Sequence, residues 1–584
     1  MSFGFGFGLP SWQTLSGGFS PASLFTGGEN GVWYEPSPTN GTLFQDSAGT
    51  TPVTAVEQFV GLMLDKSKGL VLGSELATGI LGSTSGWTFV GAANVTGGAI
   101  VFNTPPSTNA SAQYNPIVAS GKWYQSTITI TGTGQVVVQL GSAGTTVTLV
   151  APGTYTFRGL ASGGTPTVLT FSSVLSGVNN FVGSVTAISV REIPGNHATS
   201  TGTKRPKLAA RYNLLTYTEQ FDNGAWTRFQ STVSANAAVA PNGTLTADKL
   251  IPNNGASSGF VYNTSPASIL AGTVTSASVW IKAAELGFAW VVCNVRASSS
   301  TTGVCVNLST GALTNGGANG TYAVADAGNG WWRVECTATA SSANSYIEVW
   351  PLAAAGVNGT YTGDGTSGIY IWGADLRPAS QATGLIGPTY QRVVDAATYD
   401  TVGFLPYLQF DGIDDSMSTG SIDFTATDKM TVWAGVRKQA AGLGMIAELS
   451  ASVSANNGTF YFAANNGTND YGVSLKGTAQ ATYQPATYTN PITNVLSAAF
   501  DIGAAAIADE NKPRVNGVLE QDNPTGADAG TGNFGNYALF IGARNNASLY
   551  FNGWLSSLIV RGAQSTQSQI EATESWVNGK TGAY

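Results

Sequence analysis

Three groups of residues in this 584-residue chain have types and spacing that could do chemistry. In the runs 276–282, 331–336 and 346–350, a period of two places Ala277, Val279 and Ile281, then Trp332, Val334 and Cys336, then Ile347 and Val349 on one face of a strand. The other face carries Trp280 with Lys282, Trp331 with Arg333 and Glu335, and Tyr346 with Glu348 and Trp350. Flat rings flanked by hydrogen-bonding groups suit saccharides, whose C–H faces stack on aromatics while their hydroxyls pair with charged and amide groups. Trp280, Trp331, Arg333, Tyr346, Glu348 and Trp350 are therefore the candidate glycan-binding residues. The competing expectation is that the same rings pack under loops or against a neighbouring subunit. The second group is Asp411, Asp414 and Asp415, three carboxylates around a glycine turn. A hard cation such as Ca²⁺ could use these oxygens, although three such groups also cap turns without metal and the spacing is not that of an EF-hand. The third is His197, the sole histidine, in a Gly-Asn-His-Ala-Thr loop with no adjacent carboxylate or thiol, where a turn hydrogen bond is the expected role.

One histidine excludes multi-histidine metal sites and forces any Ser/His or Cys/His mechanism through that residue. Cys293, Cys305 and Cys336 are odd in number and not spaced as a zinc clip, so disulfides are not expected to hold the fold. A polysaccharide depolymerase would need two carboxylates about 5–9.5 Å apart across a cleft. No such pair stands in a motif, and catalytic residues are assigned to none. The chain is read as a non-enzyme, with depolymerase kept as an alternative.

Only 10% of residues are charged, and glycine supplies 74. That is a strand-and-turn composition. The net charge of −8 and the scattered lysines and arginines give no footprint for nucleic acid or an anionic membrane. No run is long and apolar enough to span a bilayer, and the opening Met-Ser-Phe-Gly-Phe-Gly lacks signal-peptide character, so folding in a cytoplasm is expected. Phe3, Phe5 and Phe7 read either as a sticky docking peptide or as a disordered terminus.

To position these residues the chain needs sheets. Alternating apolar and polar runs recur from about residue 85 to 562, punctuated by Asn-Gly pairs such as Asn242-Gly243, Asn516-Gly517 and Asn552-Gly553, which tolerate the positive φ of tight hairpins. The expected fold class is all-β, with tandem sandwich modules. One helix is predicted over about 566–580, capped by Thr566 and Gln569, burying Ile570, Thr573 and Val577 beside Trp576, and stopped by Gly582. The segments are 1–69, a leading attachment segment; 70–193, a first module; 194–212, a linker; 213–378, a second module; 379–404, a linker; and 405–584, a terminal sandwich with the helix.

Gly31-Val-Trp-Tyr-Glu-Pro-Ser37, Leu43–Val56 and Gly61–Ser67 resemble the leading segment of bacteriophage and prophage tail-fibre or minor structural proteins. In such proteins that segment runs on into a Gly-Asn-His-Ala-Thr element and a lectin-like domain. Here Gly195–Thr199 and Leu405–Asp415 come far downstream, which implies two modules inserted into a shorter parent. Asn213–Asp222, Ala247–Leu250, Gly330–Glu335 and Tyr361–Ala374 are similar to the jelly-roll, carbohydrate-binding-type modules of phage tail proteins, and 86–193 is a weaker copy. Leu408–Asp415, Met430–Val436 and Tyr550–Arg561 resemble a concanavalin A-like, laminin-G-type sandwich. The resemblance implies a virion protein, a tail fibre that binds host surface glycan. Its implied partners are further copies of itself in a homotrimer and other virion proteins through the N-terminal segment. A capsid decoration or head-fibre protein, with its aromatics used in subunit contacts, is the structural alternative.

Overall fold

In the computed structural model the described residues are 18–36, 41–103, 110–163, 168–175, 178–179, 181–257, 259–263, 267–269, 271–293, 301–340, 344–357, 361–382, 386–464, 469–483, 488–520, 524–526 and 528–584. Phe3, Phe5 and Phe7, and with them the docking-peptide expectation, lie outside this set.

The protein is all-β, and its terminal sandwich is assembled from both ends of the chain. One of its sheets runs Lys207–Ala209, Tyr407–Asp411, Asn552–Arg561, Lys429–Lys438, Ile492–Asp501, Asn511–Val515, Val518–Leu519. Gly31–Tyr34 joins it by pairing with Leu558–Arg561, continuing along the edge that Tyr407–Asp411 occupies against Asn552–Leu555. The second sheet begins with Leu43–Phe44, Leu62–Met63 and Ala198–Thr199 before Met417–Asp423 and the remaining strands of the C-terminal third. Val32, Tyr34, Leu43, Met63, Ala198 and Leu208 accordingly share one core with Leu408, Phe410, Val432, Phe500 and Leu558. The stretches 1–69 and 194–212, expected as an attachment segment and a linker, thus supply strands to the terminal sandwich from residues 31–34, 43–44, 62–63, 198–199 and 207–209. Val32, Tyr34, Leu43, Met63, Ala198 and Leu208 are buried there because none of these short strands has a sheet of its own to cover.

The C-terminal helix spans Gln567–Thr581, with Thr566 and Gln569 exchanging capping hydrogen bonds and Gly582 closing it at φ +57. Ile570 and Val577 bury against Trp433, Val495 and Ile559, and Trp576 meets Trp33 edge-on at 5.8 Å. Asn516-Gly517 makes the expected hairpin turn at φ +51 and +79. Asn552-Gly553 instead lies within a strand, where a Cβ on Gly553 would meet the Arg437 carbonyl oxygen at 2.2 Å.

The first module hangs on one strand, Trp123–Leu140. Its first half pairs with Gly153–Leu160 and Phe181–Ile193, its second with Thr146–Val150 and Leu169–Ser172, so a single strand serves both layers. The switch occurs at Gly132, φ +101, where a Cβ would sit 2.2 Å from the Val182 oxygen. The second module packs two six-stranded sheets face to face over Val279, Ile281, Val291, Val334, Val349 and Ile371. The stretch 379–404, expected as a linker, carries a helical turn at Ala379–Ala382 and packs Ile386, Val393, Tyr399 and Phe404 onto Tyr212 and Tyr407.

Each module is closed at its base by a buried polar group. At the first, Asp65 Oδ1 accepts from the backbone N–H groups of Trp33 and Ser67, both at 2.8 Å, and Oδ2 from Asn196 N (2.8 Å) and Ser67 Oγ (2.9 Å). His197 Nδ1 accepts from Asp65 N at 2.9 Å, and its ring lies edge-on to Trp123. At the second, Gln391 Oε1 accepts from Tyr212 N and Asn213 N, while Asn213 Nδ2 donates to Ala374 O and Gln391 O.

Burial, with the Arg158 charge behind it, lowers the His197 pKa from 6.5 to about 3. The folded protein therefore keeps the imidazole neutral where the unfolded chain protonates it. Stability from this site is complete above pH 6.5 and is lost as pH falls toward 3. Asp65, pushed up to about 6 by burial, acts oppositely, losing stability as pH rises from 3.8 to about 6. His197→Gln removes only the first contribution. Between pH 7 and 5 the wild type should lose about 2 kcal/mol relative to this variant in urea unfolding.

Candidate functional site

The six candidate glycan residues do not form one surface. Trp280 pairs in register with Arg333 on one side and Trp372 on the other, and Lys282 with Trp331, so Trp280, Trp331 and Arg333 share the outer face of one sheet. Tyr346, Glu348 and Trp350 lie at and beside Ile347–Leu352, in the other sheet, where the core-facing residues are Ile347 and Val349. The two trios flank the module on opposite sides.

Nor are the rings open. Trp331 is 1% exposed, packed with Ala240, Ala247 and Trp372, and its indole N–H donates to Val239 O at 3.1 Å. Trp350 stacks on Phe260 at 3.8 Å and donates to Glu348 Oε2 at 3.2 Å, with Glu348 itself buried. Trp280 and Tyr346 are half-buried. Arg333 lies over the Trp280 ring at 5.4 Å and Tyr390 meets it edge-on, while Tyr346 meets Tyr262 edge-on. Arg333 is held by Glu335 at 2.6 Å. The expectation of an exposed aromatic platform is corrected on this point: alternation places a side chain on a sheet face but does not say whether water reaches that face.

Asp411, Asp414 and Asp415 do converge, with ligand oxygens within 4.8 Å of one another. Each already accepts a protein hydrogen bond, two of them from within the turn. Asp411 Oδ1 accepts from Ile413 N and Asp414 N, Asp415 Oδ2 from Asp411 N, and Asp414 Oδ2 from Thr203 Oγ1. Burial first, then the Asp411 and Asp414 charges, push Asp415 up to about 7. These three carboxylates are the residues that could hold a hard cation, and each already has a protein donor, Asp411 and Asp415 within the turn and Asp414 from Thr203.

The geometry favours a place that sequence reasoning missed, the junction where both linkers, the second module and the terminal sandwich meet. A cleft of about 220 Å³ is lined there by Glu57, Arg211, Tyr399, Tyr407, Gln409, Gln439 and Trp554. The strand pairing sets Gln409, Trp554, Arg437 and Thr493 in one row across the outer face of the sheet. Trp554 stacks on Tyr407 at 4.1 Å and carries the Arg437 guanidinium at 4.9 Å. Tyr399 Oη donates to Glu57 Oε1 at 2.7 Å, and burial, then Glu57, raise the Tyr399 pKa. Arg211 donates to Asn213 O and Leu215 O, and burial lowers its pKa. Gln409 is exposed and Gln439 half-buried, leaving amide groups at the rim. A signal was present: alternation in Tyr407–Asp411 puts Tyr407 and Gln409 opposite Leu408 and Phe410, and the same rule turns Trp554 away from Leu555.

Three outcomes follow from these positions. Trp331→Ala and Trp350→Ala should each destabilise the fold by about 3–5 kcal/mol, measured by denaturant unfolding, because each empties a packed site. Millimolar calcium should leave the melting temperature unchanged at pH 8, and Asp415→Asn should stabilise the protein more at pH 8 than at pH 5, since the cost of ionising Asp415 grows as pH rises from 3.8 to about 7.

No protein-family model matches the chain, and no curated protein matches it. Solved structures match parts of it. The NanB sialidase of Streptococcus pneumoniae is 13% identical over 28% of this chain and 26% of its own, with a TM-score of 0.21. A SAP-like pentraxin from Limulus polyphemus is 12% identical over 28% of this chain and 78% of its own, with a TM-score of 0.23. The botulinum neurotoxin serotype D binding domain is 9% identical over 30% and 43%, with a TM-score of 0.22. The chain thus spans about a quarter of the length of the sialidase, and likenesses of this size carry no inference about its activity.

Proposed function

We propose that this chain is a non-enzymatic virion protein, a bacteriophage tail fibre that attaches the particle to host surface glycan. The observation that carries the binding part is the junction cleft. Amide, guanidinium and carboxylate groups from Gln409, Gln439, Arg211 and Glu57 stand beside the aromatic walls of Tyr399 and Tyr407, the mixture that sugar hydroxyls and C–H faces require. Both faces of Trp554 are taken by Tyr407 and Arg437, so the cleft offers ring edges and hydrogen bonds rather than a stacking platform. Glu57 is the one carboxylate among the described residues lining it, and hydrolysis by a carboxylate pair needs two, which supports binding without catalysis.

The phage reading rests on the leading-segment motifs, whose Asp65 and His197 meet at the base of the inserted first module. A trimer would raise the avidity of weak sites by effective concentration.

Purified full-length protein incubated with envelope polysaccharide of candidate hosts should be retained without shortening the glycan. Gln409→Ala with Gln439→Ala, which remove two rim side chains at about 1 kcal/mol each, should weaken retention about tenfold or more without changing the melting temperature. Shortening of the glycan would favour the depolymerase. No retention on any host's glycan, with immunogold label on capsids, would favour the decoration protein.

A further inference from the structure

Beside the cleft lies a second cavity of about 290 Å³, between the second module and the terminal sandwich. Its walls come from Ile269, Thr273, Val274 and 378–381 on one side and from Arg437, Tyr488, 491–494 and Asn516 on the other. Arg437 is the sole charged residue among those lining it, and it is 4% exposed. Its Nη1 donates to Thr493 Oγ1 at 3.2 Å and its plane lies over Trp554, but Nε has no hydrogen-bond partner. No carboxylate among the described residues pairs with it. Glu520, which approaches the far wall, accepts from Tyr488 Oη at 2.6 Å. Contrast the other two arginines that are buried among the described residues: Arg377 is paired with Asp375 and Arg561 with Glu29.

A guanidinium removed from water without a counter-ion is costly, and a fold carrying one beside a cavity is poised for an anion to enter. The lining narrows the class. One cation, with no lysine or second arginine, balances a monoanion such as a carboxylate and not a phosphate dianion. Thr273, Thr493 and Asn516 offer partners for hydroxyls, while Ile269, Pro491 and Ile492 offer apolar wall for C–H faces.

We propose that this cavity binds a carboxylate-bearing sugar residue of the uronic acid class, with Arg437 as its counter-ion. Only the choice of a sugar as the carrier of the carboxylate rests on the saccharide-binding reading above; the need for an anion does not. Because the two cavities are lined by different residues, each can fail alone.

The full-length protein would be titrated calorimetrically and by thermal shift with sodium galacturonate, galactose and sodium acetate, and tested for retention on polygalacturonate and on dextran. Galacturonate or its polymer should bind and raise the melting temperature, with galactose and acetate at least tenfold weaker. A response to the polymer alone assigns the site to a residue within a chain; a response to both assigns it to the free acid as well. Arg437→Met, which exchanges the buried charge for apolar volume, should fold and lose at least tenfold in affinity. Should that variant not fold, Thr493→Val, which removes the acceptor orienting the guanidinium, should weaken binding several-fold. Equal response to acetate would mean an adventitious ion only and would overturn the proposal, as would no response or an unaltered Arg437→Met. If it is overturned while the Gln409 and Gln439 substitutions still weaken retention on host glycan, the saccharide-binding reading stands without this site.

Discussion

The carboxylate of Asp65 is the point on which the architecture turns. Its two oxygens accept from Trp33, Ser67 and Asn196, three places separated by up to 163 residues of chain, and its own N–H is taken by His197. An ion in the interior is tolerable only when its lone pairs are filled, and filling them requires these segments to meet. Gly195, at φ +123, lets the returning chain pass so close that a Cβ would stand 2.9 Å from Asp65 Oδ2. The chain therefore enters and leaves the first module at one knot. With the knot tied, the strands around Leu62 and Ala198 lie side by side in one sheet.

The second module is joined by the same logic, chiefly with neutral groups. Gln391 and Asn213 bridge the segment that enters the module, the strand that leaves it and the connector beyond, through Tyr212, Ala374, Ala210 and Asp400. Amides present donors and acceptors in one plane, so a pair of them can satisfy several orphan backbone groups without the desolvation cost of a charge. Beside these amides stands one buried carboxylate, Asp375, which accepts from Gln391 N at 2.8 Å and is paired with Arg377.

The all-β class and the terminal helix were legible because each depends on local pattern: period-two runs and the Thr566–Gln569 capping pair. Burial on the outer faces was not legible. Trp331 and Trp350 obey the alternation that points them away from the core, yet Val239–Ala240 and Phe260 cover them, and those contacts join residues about 90 positions apart. The junction cleft was hidden for a related reason. Glu57, Arg211, Gln409 and Trp554 come from four separate stretches, and nothing in any one of them announces the other three. His197 could be read as structural from its lone occurrence, but its partner Asp65 lies 132 residues earlier, a distance no local pattern bridges.

Sites at junctions have a mechanical consequence that sites within one sandwich lack. The cavity beside Arg437 takes one wall from the second module and its connector, at Ile269 and Gln381, and the other from the terminal sandwich, at Thr493 and Asn516. The direct polar ties across it include Gln381 to Thr581 O and Ser380 to Gly582 O, single hydrogen bonds of modest net strength. A ligand seated there would touch both walls at once and so bind the docked arrangement better than any splayed one. By linkage its binding free energy would then add to the stability of docking the second module on the terminal sandwich.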